Sequence, residues 1–282
     1  MCGIGFVVNY NHKAPIPLDM VGEMFQEMEA RGTDSSGIYW ERKVDHKMVR
    51  RAFKMPGKAR DVWQLVQNPK PGIDKAYKEL PVNYALNGTE RLIMLHTRTS
   101  TKGSPKIHDN NMPIFSKNYV LIHNGVVRAS RLPEYPYQGE VDSEEIIARV
   151  ETLGLKNAIE GVSGSAAIAV KRFDEDSLWI YRHSNPLELV YLHDLGLLFG
   201  CSLSAYVPYK YDSSALAEYL FKAGPVSIVD VPEDSAFRIS LIKKDIVKVF
   251  SARPASDSHR ISCTLEEWKQ PLQQGLRETI YE

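Results

Sequence analysis

The chain opens with MCGIGFVVNY at residues 1–10, and this stretch decides how the fold is interpreted. Residues 4–10 are apolar and rich in strand formers, so they predict a buried β-strand almost at the N-terminus. Cys2 immediately precedes that strand. An initiator methionine is usually removed when the next side chain is small. Cys2 would then carry both a thiol and a free α-amine.

Those two groups together suit nucleophilic catalysis. The thiolate of a cysteine is the nucleophile, and an α-amine with a pKa of about 7.7–8.0 is a competent base near neutral pH. One residue would supply both nucleophile and base, as in enzymes with an N-terminal threonine. The alternative is that Cys2 is an ordinary small apolar residue at the start of a strand.

The chain after residue 10 predicts a few helices and many short strands. An apolar stripe at helical spacing runs from Leu18 to Met28, and Gly32 follows where a C-terminal cap belongs. Further helices are predicted over residues 61–67, 143–153 and 265–276. Strands are predicted over residues 37–40, 48–53, 92–95, 119–122, 166–173, 177–181, 189–191, 197–199, 227–231, 236–242 and 246–250. This pattern indicates an α+β protein, a sandwich of antiparallel sheets covered by helices.

The domain boundaries follow from where this pattern weakens. Residues 1–252 are predicted to form one domain, and residues 253–282 a C-terminal tail that contains the predicted helix over 265–276. Residues 68–90 are weakly patterned and contain several prolines, which indicates an insertion on the surface.

Composition excludes several classes of protein. Of 282 residues, 43% are hydrophobic and 25% charged, which is typical of soluble globular chains and not of disordered or fibrous ones. The 35 Lys and Arg residues balance 35 Asp and Glu residues, so the chain lacks a general electrostatic footprint for nucleic acid. The longest apolar runs are too short to span a bilayer. We therefore expect neither a nucleic-acid partner nor a membrane partner.

The cysteine count bears on compartment and cofactors. Cys2, Cys201 and Cys263 are odd in number and follow no CxxC spacing, so neither a disulfide framework nor a zinc site is predicted. No histidine spacing suits a metal either, and we expect no cofactor. Free thiols are typical of a reducing compartment, so the protein is predicted to be cytoplasmic.

The first candidate binding residue is Arg98. It ends a predicted buried strand and is followed by a loop of hydroxyl residues and Gly103. A guanidinium grips a carboxylate through two parallel hydrogen bonds, which suits it to bind an acidic substrate group. The commoner alternative is a solvated arginine at a strand end.

The second candidate is the pair Asn124-Gly125. Asn-Gly after an apolar strand is a favoured hairpin turn, which is the simplest explanation. The functional interpretation is an oxyanion hole made by the Asn124 side-chain NH₂ and the Gly125 backbone N–H. One such donor contributes about 2.7–4 kcal/mol in a sheltered site.

The third candidate is Asp142. Locally the sequence predicts a capping box. In it, Asp142 caps a helix, the Glu145 side chain bonds back to the backbone N–H of Asp142, and Val141 packs against Ile146. A carboxylate at this junction could also bind an ammonium group. The two roles are compatible.

Five motifs in order extend these separate signals. They are MCGI at residues 1–4, RGTDSSG at 31–37, HTRTSTKGSP at 96–105, IHNG at 122–125 and VDSE at 141–144. Together they resemble the class II glutamine amidotransferase domain of the N-terminal nucleophile (Ntn) hydrolases. The motif sequences are most similar to those of the glutaminase domain of glucosamine-6-phosphate synthases. The resemblance covers roughly residues 1–250.

The resemblance implies a four-layer αββα sandwich that hydrolyses L-glutamine to glutamate and ammonia through a thioester on the N-terminal cysteine. The implied catalytic residues are Cys2, Asn124 and Gly125. Arg98, with Thr101 nearby, would bind the substrate α-carboxylate, and Asp142 the α-ammonium group. Arg31, Gly32 and Asp34 would belong to a loop that supports the site.

Two positions depart from that pattern, and they leave details of substrate contact open. Lys102 stands where the sugar-phosphate branch has histidine, and Thr99 replaces an aromatic residue. No acceptor domain follows the resembling region, so we expect the ammonia to pass to an acceptor on a separate partner subunit. The alternatives are an amidohydrolase of another γ-glutamyl compound and a catalytically silent module that binds glutamine or serves assembly.

Overall fold

The computed structural model describes residues 1–11, 14–68, 85–203, 206–207 and 225–251, together with the backbone of 262–264. Within these ranges the helices are α1 (Leu18–Glu27), α2 (Ala59–Gln67), α3 (Asp142–Leu153) and α4 (Leu155–Glu160). The strands are β1 (Gly3–Asn9), β2 (Ser35–Val44), β3 (Lys47–Pro56), β4 (Leu92–Arg98), β5 (Ile114–Phe115), β6 (Tyr119–Arg128), β7 (Ser163–Arg172), β8 (Ser177–His183), β9 (Glu188–Leu192), β10 (Leu197–Cys201), β11 (Val226–Asp230), β12 (Ser235–Ser240), β13 (Asp245–Ser251) and β14 (Ser262–Thr264). Short 3₁₀ turns cover Met28–Arg31 and His108–Asn110.

The strands form two seven-stranded sheets. The first has the order β11-β9-β10-β1-β4-β2-β3, and the second has the order β14-β13-β12-β8-β7-β6-β5. All the pairings between these strands are antiparallel. This confirms the predicted α+β class with two antiparallel sheets. It also puts β1, the strand that follows Cys2, in the middle of the first sheet.

Three apolar clusters divide the molecule into layers. The central cluster lies between the two sheets and includes Ile4, Phe6 and Val8 of β1. One outer cluster packs α1 and α2 on the first sheet, and the other packs α3 and α4 on the second. Full burial of each large apolar side chain contributes roughly 1.5–3 kcal/mol, so these clusters hold the layers together. The order helix, sheet, sheet, helix is the predicted αββα sandwich.

The strand β1 is buried on both faces because it has a sheet on one side and α1 on the other. Val7 joins the outer cluster together with Met24 and Met28. A Cβ on Gly5 would lie 2.5 Å from Cε of Met24, so the thioether side chains of the helix fill the space above this glycine. The methionines of the predicted helical stripe therefore fill the core, as flexible thioether side chains often do.

Some elements differ from the sequence prediction. The predicted strands 37–40 and 48–53 extend to Ser35–Val44 and Lys47–Pro56, because β2 and β3 pair along ten residues each. The helix α4 was not predicted, since its six residues are too few to show a clear period. Asn124 and Gly125 lie inside β6, which continues to Arg128, so the hairpin-turn interpretation is wrong. Pairing with β7, where Gly125 lies opposite Ala166, overrides the local turn preference.

Parts of the predicted organisation fall outside the described residues. They are residues 69–84 of the proposed insertion and the whole predicted helix over 265–276. The division of the chain at residue 252 therefore stays a prediction. None of the helices described above is long and apolar enough to cross a membrane.

Candidate functional site

Cys2 and Arg98 are brought together by the pairing of two neighbouring strands. In the antiparallel pair β1–β4, Gly3 lies opposite Thr97, so the residue before β1 meets the last residue of β4. The half-buried Cys2 points its Sγ toward the backbone carbonyl of Thr99, at 3.6 Å. The sheet register alone therefore fixes the thiol beside the predicted binding arginine.

Three charges act on that thiol. Burial is the largest influence and raises the pKa of Cys2, while the Thr99 backbone contact, the ammonium group of Met1 and the Arg98 guanidinium act to lower it. The Asp142 carboxylate adds a smaller increase to the same pKa. Arg98 and Asp142 therefore both lie within electrostatic range of this sulfur. That they share a substrate site with it stays a prediction.

Arg98 is held by neutral oxygens. Its side chain donates to Asn111 Oδ1 at 3.0 Å, to the Gly103 carbonyl at 2.9 Å and to the Lys102 carbonyl. The residue is only 4% exposed, and burial lowers its pKa, although the charges of Cys2, Asp34 and Asp142 act in the opposite direction. None of its three hydrogen-bond acceptors carries a full charge. The positive charge thus remains available for a carboxylate.

Asn124 contributes an unpaired amide. The residue is 1% exposed, and neither Oδ1 nor Nδ2 has a hydrogen-bond partner among the described residues. Its backbone carbonyl is anchored separately, because Asn185 Nδ2 donates to it at 3.0 Å. Leaving a buried polar group unpaired costs about 1–3 kcal/mol. A site that binds a ligand at this amide would recover that cost.

The next residue must be glycine. Gly125 has φ = 150°, and a Cβ at this position would lie 2.0 Å from the Ser165 carbonyl oxygen and 2.8 Å from Asn185 Nδ2. Any side chain would push β6 away from its neighbours. The sequence signal Asn-Gly is therefore explained by close packing within the sheet and not by a turn.

Asp142 is the first residue of α3 and not its cap. Val141 occupies the N-cap position without a side-chain hydrogen bond, so the predicted capping box is wrong. Oδ2 of Asp142 instead accepts the backbone N–H of Val127 at 2.8 Å, which turns the carboxylate back toward β6. An ionised carboxylate is favoured in the first turn of a helix by the helix dipole. That this carboxylate binds an ammonium group stays a prediction.

The predicted supporting loop lies against the backbone of the site. Arg31 Nε donates to the Cys2 carbonyl at 2.7 Å, and its own carbonyl accepts Thr99 Oγ1 at 2.8 Å. Asp34 donates its backbone N–H to the Arg98 carbonyl at 2.9 Å and accepts the Ser100 N–H on Oδ2 at 2.7 Å. These bonds fix both the residue that carries the thiol and the start of the loop after Arg98.

Gly32 fits this arrangement because it has no side chain. A Cβ there would lie 2.3 Å from the Arg98 carbonyl carbon, so the loop could not approach β4 with any other residue. Thr101 lies exposed on the loop after Ser100. Lys102 is also exposed, and its Nζ is 4.0 Å from Glu145 Oε1. Contact between Thr101 and a substrate therefore stays a prediction.

Two histidines connect the layers behind the site. His96 Nε2 lies 3.0 Å from the His123 carbonyl across the sandwich, and His123 Nδ1 lies 2.9 Å from Ser143 Oγ on α3. This chain of contacts links β4, which ends at Arg98, to β6, which carries Asn124.

His96 predicts an acid-sensitive fold. Burial lowers the pKa of His96 to about 3, whereas an unfolded histidine has a pKa of about 6.5. Between these values only the unfolded state takes up the proton, so the free energy of unfolding falls as the pH falls, by up to about 1.4 kcal/mol per pH unit. His96→Gln keeps a donor for the His123 carbonyl and should reduce this slope in urea unfolding measured from pH 7 to pH 4. His46→Asn, on the exposed β2–β3 turn, should leave it unchanged. Equal slopes in all three proteins would contradict this assignment.

Sequence reasoning missed three asparagines that organise the site. Asn111 orients Arg98, Asn185 anchors the Asn124 backbone, and Asn110 lies fully buried beneath the loop after Arg98. For Asn110 and Asn111, the only signal in the sequence is that they are adjacent within a polar, turn-rich segment. That composition is equally typical of an exposed loop.

Comparison with known proteins gives two curated relatives, while no protein-family model matches the chain. A glutamine–fructose-6-phosphate aminotransferase (isomerizing) from Helicobacter pylori is 30% identical over 236 residues, covering 77% of this chain and 35% of that protein. A 7-cyano-7-deazaguanine synthase from Saccharolobus solfataricus is 23% identical over 225 residues, covering 74% of this chain and 44% of that protein. The chain thus spans less than half the length of each relative.

Two solved structures share the fold. One is the glutamine phosphoribosylpyrophosphate amidotransferase from B. subtilis, with a TM-score of 0.55, 15% identity, and coverage of 85% of this chain and 47% of that chain. The other is described as the allosteric regulatory enzyme of purine biosynthesis, with a TM-score of 0.56 at the same identity and coverage. At this identity the likeness is one of architecture, and it agrees with the αββα sandwich described above.

Proposed function

Because this chain carries a class II glutamine amidotransferase domain of the Ntn type, we propose that it hydrolyses L-glutamine to glutamate and ammonia, with Cys2 as the nucleophile once Met1 is removed. The observation that supports this most directly is the register of β1 with β4, which brings Cys2 next to Arg98. Glutamine carries one α-carboxylate, one α-ammonium group and one amide carbonyl. The site offers a cation, an anion and a nucleophile in one place.

Binding follows from these charges. Arg98 takes the α-carboxylate through its guanidinium, which the surrounding carbonyl and amide oxygens already hold in place. Asp142 takes the α-ammonium group. With both α-groups of the amino acid fixed, the side-chain amide of the substrate extends toward Cys2. Holding reactants in this way replaces a bimolecular encounter with a step inside one complex.

The chemical steps use groups of this chain alone. The Cys2 thiol gives its proton to the α-amine of the same residue, and the sulfur bonds to the amide carbon of the substrate. The negative charge that develops on the carbonyl oxygen is stabilised by Asn124 Nδ2 and the Gly125 N–H. The protonated α-amine then passes a proton to the departing nitrogen, ammonia leaves, and a γ-glutamyl thioester remains. Water attacks this thioester, releases glutamate and restores the thiol.

The proposal includes a destination for the ammonia. Two of the similar proteins are an aminotransferase and an amidotransferase that are named for glutamine. We propose that the acceptor of the ammonia lies on a separate synthase subunit.

The test is a glutaminase assay on the full chain with its N-terminus defined. Intact-mass analysis should show loss of Met1, and the processed protein should release glutamate and ammonia from L-glutamine in equal amounts. A processed chain that releases neither would refute the proposal. Faster release from γ-glutamyl amines than from glutamine would favour an amidohydrolase of another γ-glutamyl compound.

A further inference from the structure

Arg98 and Asp142 are carried by two separate segments that meet at one buried asparagine. Residues 99–110 follow Arg98, and residues 129–141 precede Asp142. Asn110 is fully buried at the contact between them. Its Nδ2 donates to the Ser104 carbonyl in the first segment at 3.1 Å, and its Oδ1 accepts the Glu140 N–H in the second at 2.8 Å. A single amide thus joins the two segments.

Two glycines enclose this amide. A Cβ on Gly103 would lie 2.7 Å from Asn110 Nδ2, and a Cβ on Gly139 would lie 2.9 Å from Asn110 Oδ1. Gly103 also has φ = 74°, a conformation that favours glycine. One glycine comes from each segment, so the amide is packed from both sides without room for a side chain. The Asn110 amide is therefore closely packed between the two segments, and we call this contact the Asn110 junction.

The junction is connected in both directions to the groups that would hold substrate. On one side, the Gly103 carbonyl accepts Arg98 Nη2 at 2.9 Å. On the other side, the Glu144 carboxylate accepts the N–H groups of Gln138 and Gly139 at 2.6 and 2.8 Å. Glu144 lies two residues after Asp142, in the first turn of α3. Hydrogen bonds joined by the peptide links Gly103–Ser104 and Gly139–Glu140 therefore connect the guanidinium through Asn110 to the helix turn that presents the carboxylate.

From this path we propose that Asn110 is a positioning residue that fixes the separation of Arg98 and Asp142, and so selects amides that carry both an α-carboxylate and an α-ammonium group. This inference rests on the proposed function. A substrate that pairs with both charges gains the second interaction fully only if the two are held at one spacing. If the spacing varies, the site can bind either α-group, but a substrate that carries both gains little extra affinity.

The experiment compares two substrates of the processed full-length enzyme. L-Glutamine has both α-groups, whereas glutaramate has the same carboxylate and amide without the ammonium group. The wild type should prefer glutamine strongly in kcat/KM. In Asn110→Ala, the KM for glutamine should rise and the preference for glutamine over glutaramate should fall, each about tenfold, since one buried junction is lost. The kcat for glutamine should change much less.

Two further variants keep the result interpretable. Asn118→Ala removes an exposed asparagine that bonds Glu151 away from the site, and it should keep the wild-type preference. Gly139→Ala leaves Asn110 in place but inserts a methyl group against its amide, so it should also reduce the preference for glutamine. It serves as the test if Asn110→Ala fails to fold. A folded Asn110→Ala or Gly139→Ala enzyme with wild-type preference would overturn the inference. A processed wild type without glutaminase activity would instead refute the proposed function.

Discussion

Cys2→Ala is expected to abolish glutamine hydrolysis, lowering kcat by at least about 10⁴-fold. Alanine retains the α-amine and the start of β1 but removes the sulfur that forms the thioester. Because Gly3 remains paired with Thr97, the variant should fold normally. Single-turnover measurement of glutamate release, with thermal unfolding measured in parallel, checks both statements.

The matched control is Cys201, which lies within the first sheet. It is buried in β10, and its Sγ lies 2.9 Å from the Leu203 carbonyl. Cys201→Ala should keep the activity while losing about 1 kcal/mol or more of stability. If Cys2→Ala remains active, the thiol is not the nucleophile.

A form that keeps Met1 provides an independent test of the same chemistry. Its Cys2 nitrogen is an amide and no longer a base, although the sulfur is still present. We expect activity as low as that of Cys2→Ala from protein purified without methionine removal. Full activity of this form would show that the proton is taken by another group.

Asn124→Ala is expected to reduce kcat for glutamine by about 10²–10³-fold, equivalent to roughly 2.7–4 kcal/mol of transition-state stabilisation. The amide is proposed to bind the oxygen only when it becomes charged, so KM should change little. Steady-state kinetics separate the two parameters. A large rise in KM with unchanged kcat would contradict the role in an oxyanion hole.

The stability of this variant gives a second readout. Neither polar atom of the Asn124 amide has a partner in the described structure, so alanine removes a desolvation cost while it leaves a small cavity. We expect the free energy of unfolding to stay within about 1 kcal/mol of the wild type. Asn157→Ala, an exposed asparagine whose Nδ2 donates to the Leu153 carbonyl, should leave kcat unchanged and serves as the control. Loss of activity through unfolding would appear as a large fall in stability.

The fold could be predicted well where local pattern and tertiary environment agree. Residues Ile4–Val8 are apolar because β1 is covered on both faces, and this apolar run can be recognised directly in the sequence. The motif order also predicts that Cys2, Arg98 and Asp142 share a site, and each of them lies at the start or end of an element. Strand and helix ends are marked in sequence by the change from apolar to polar residues.

Local rules failed where a distant partner competes with them. Asn-Gly at residues 124–125 favours a turn, but ten pairs with β7 hold it in a strand. Asp142 has the sequence of a helix cap, but the backbone N–H of Val127, fifteen residues earlier, takes its carboxylate. In both cases the longer-range hydrogen bonds outweigh a local preference worth about 1 kcal/mol.

By itself, the sequence determined which chemical groups this protein has and the order in which they occur: a thiol at the second position, then a guanidinium, an amide and a carboxylate. Only the tertiary structure decided what holds them at their spacing. Asn110, Asn111 and Asn185 do so through partners that lie from 6 to 61 residues away along the chain. A hydrogen bond depends on distance and direction in space. The partner of a hydrogen bond therefore cannot be identified from a regular spacing in the sequence. The apolar residues of a buried face can, because they recur at the period of the helix or strand.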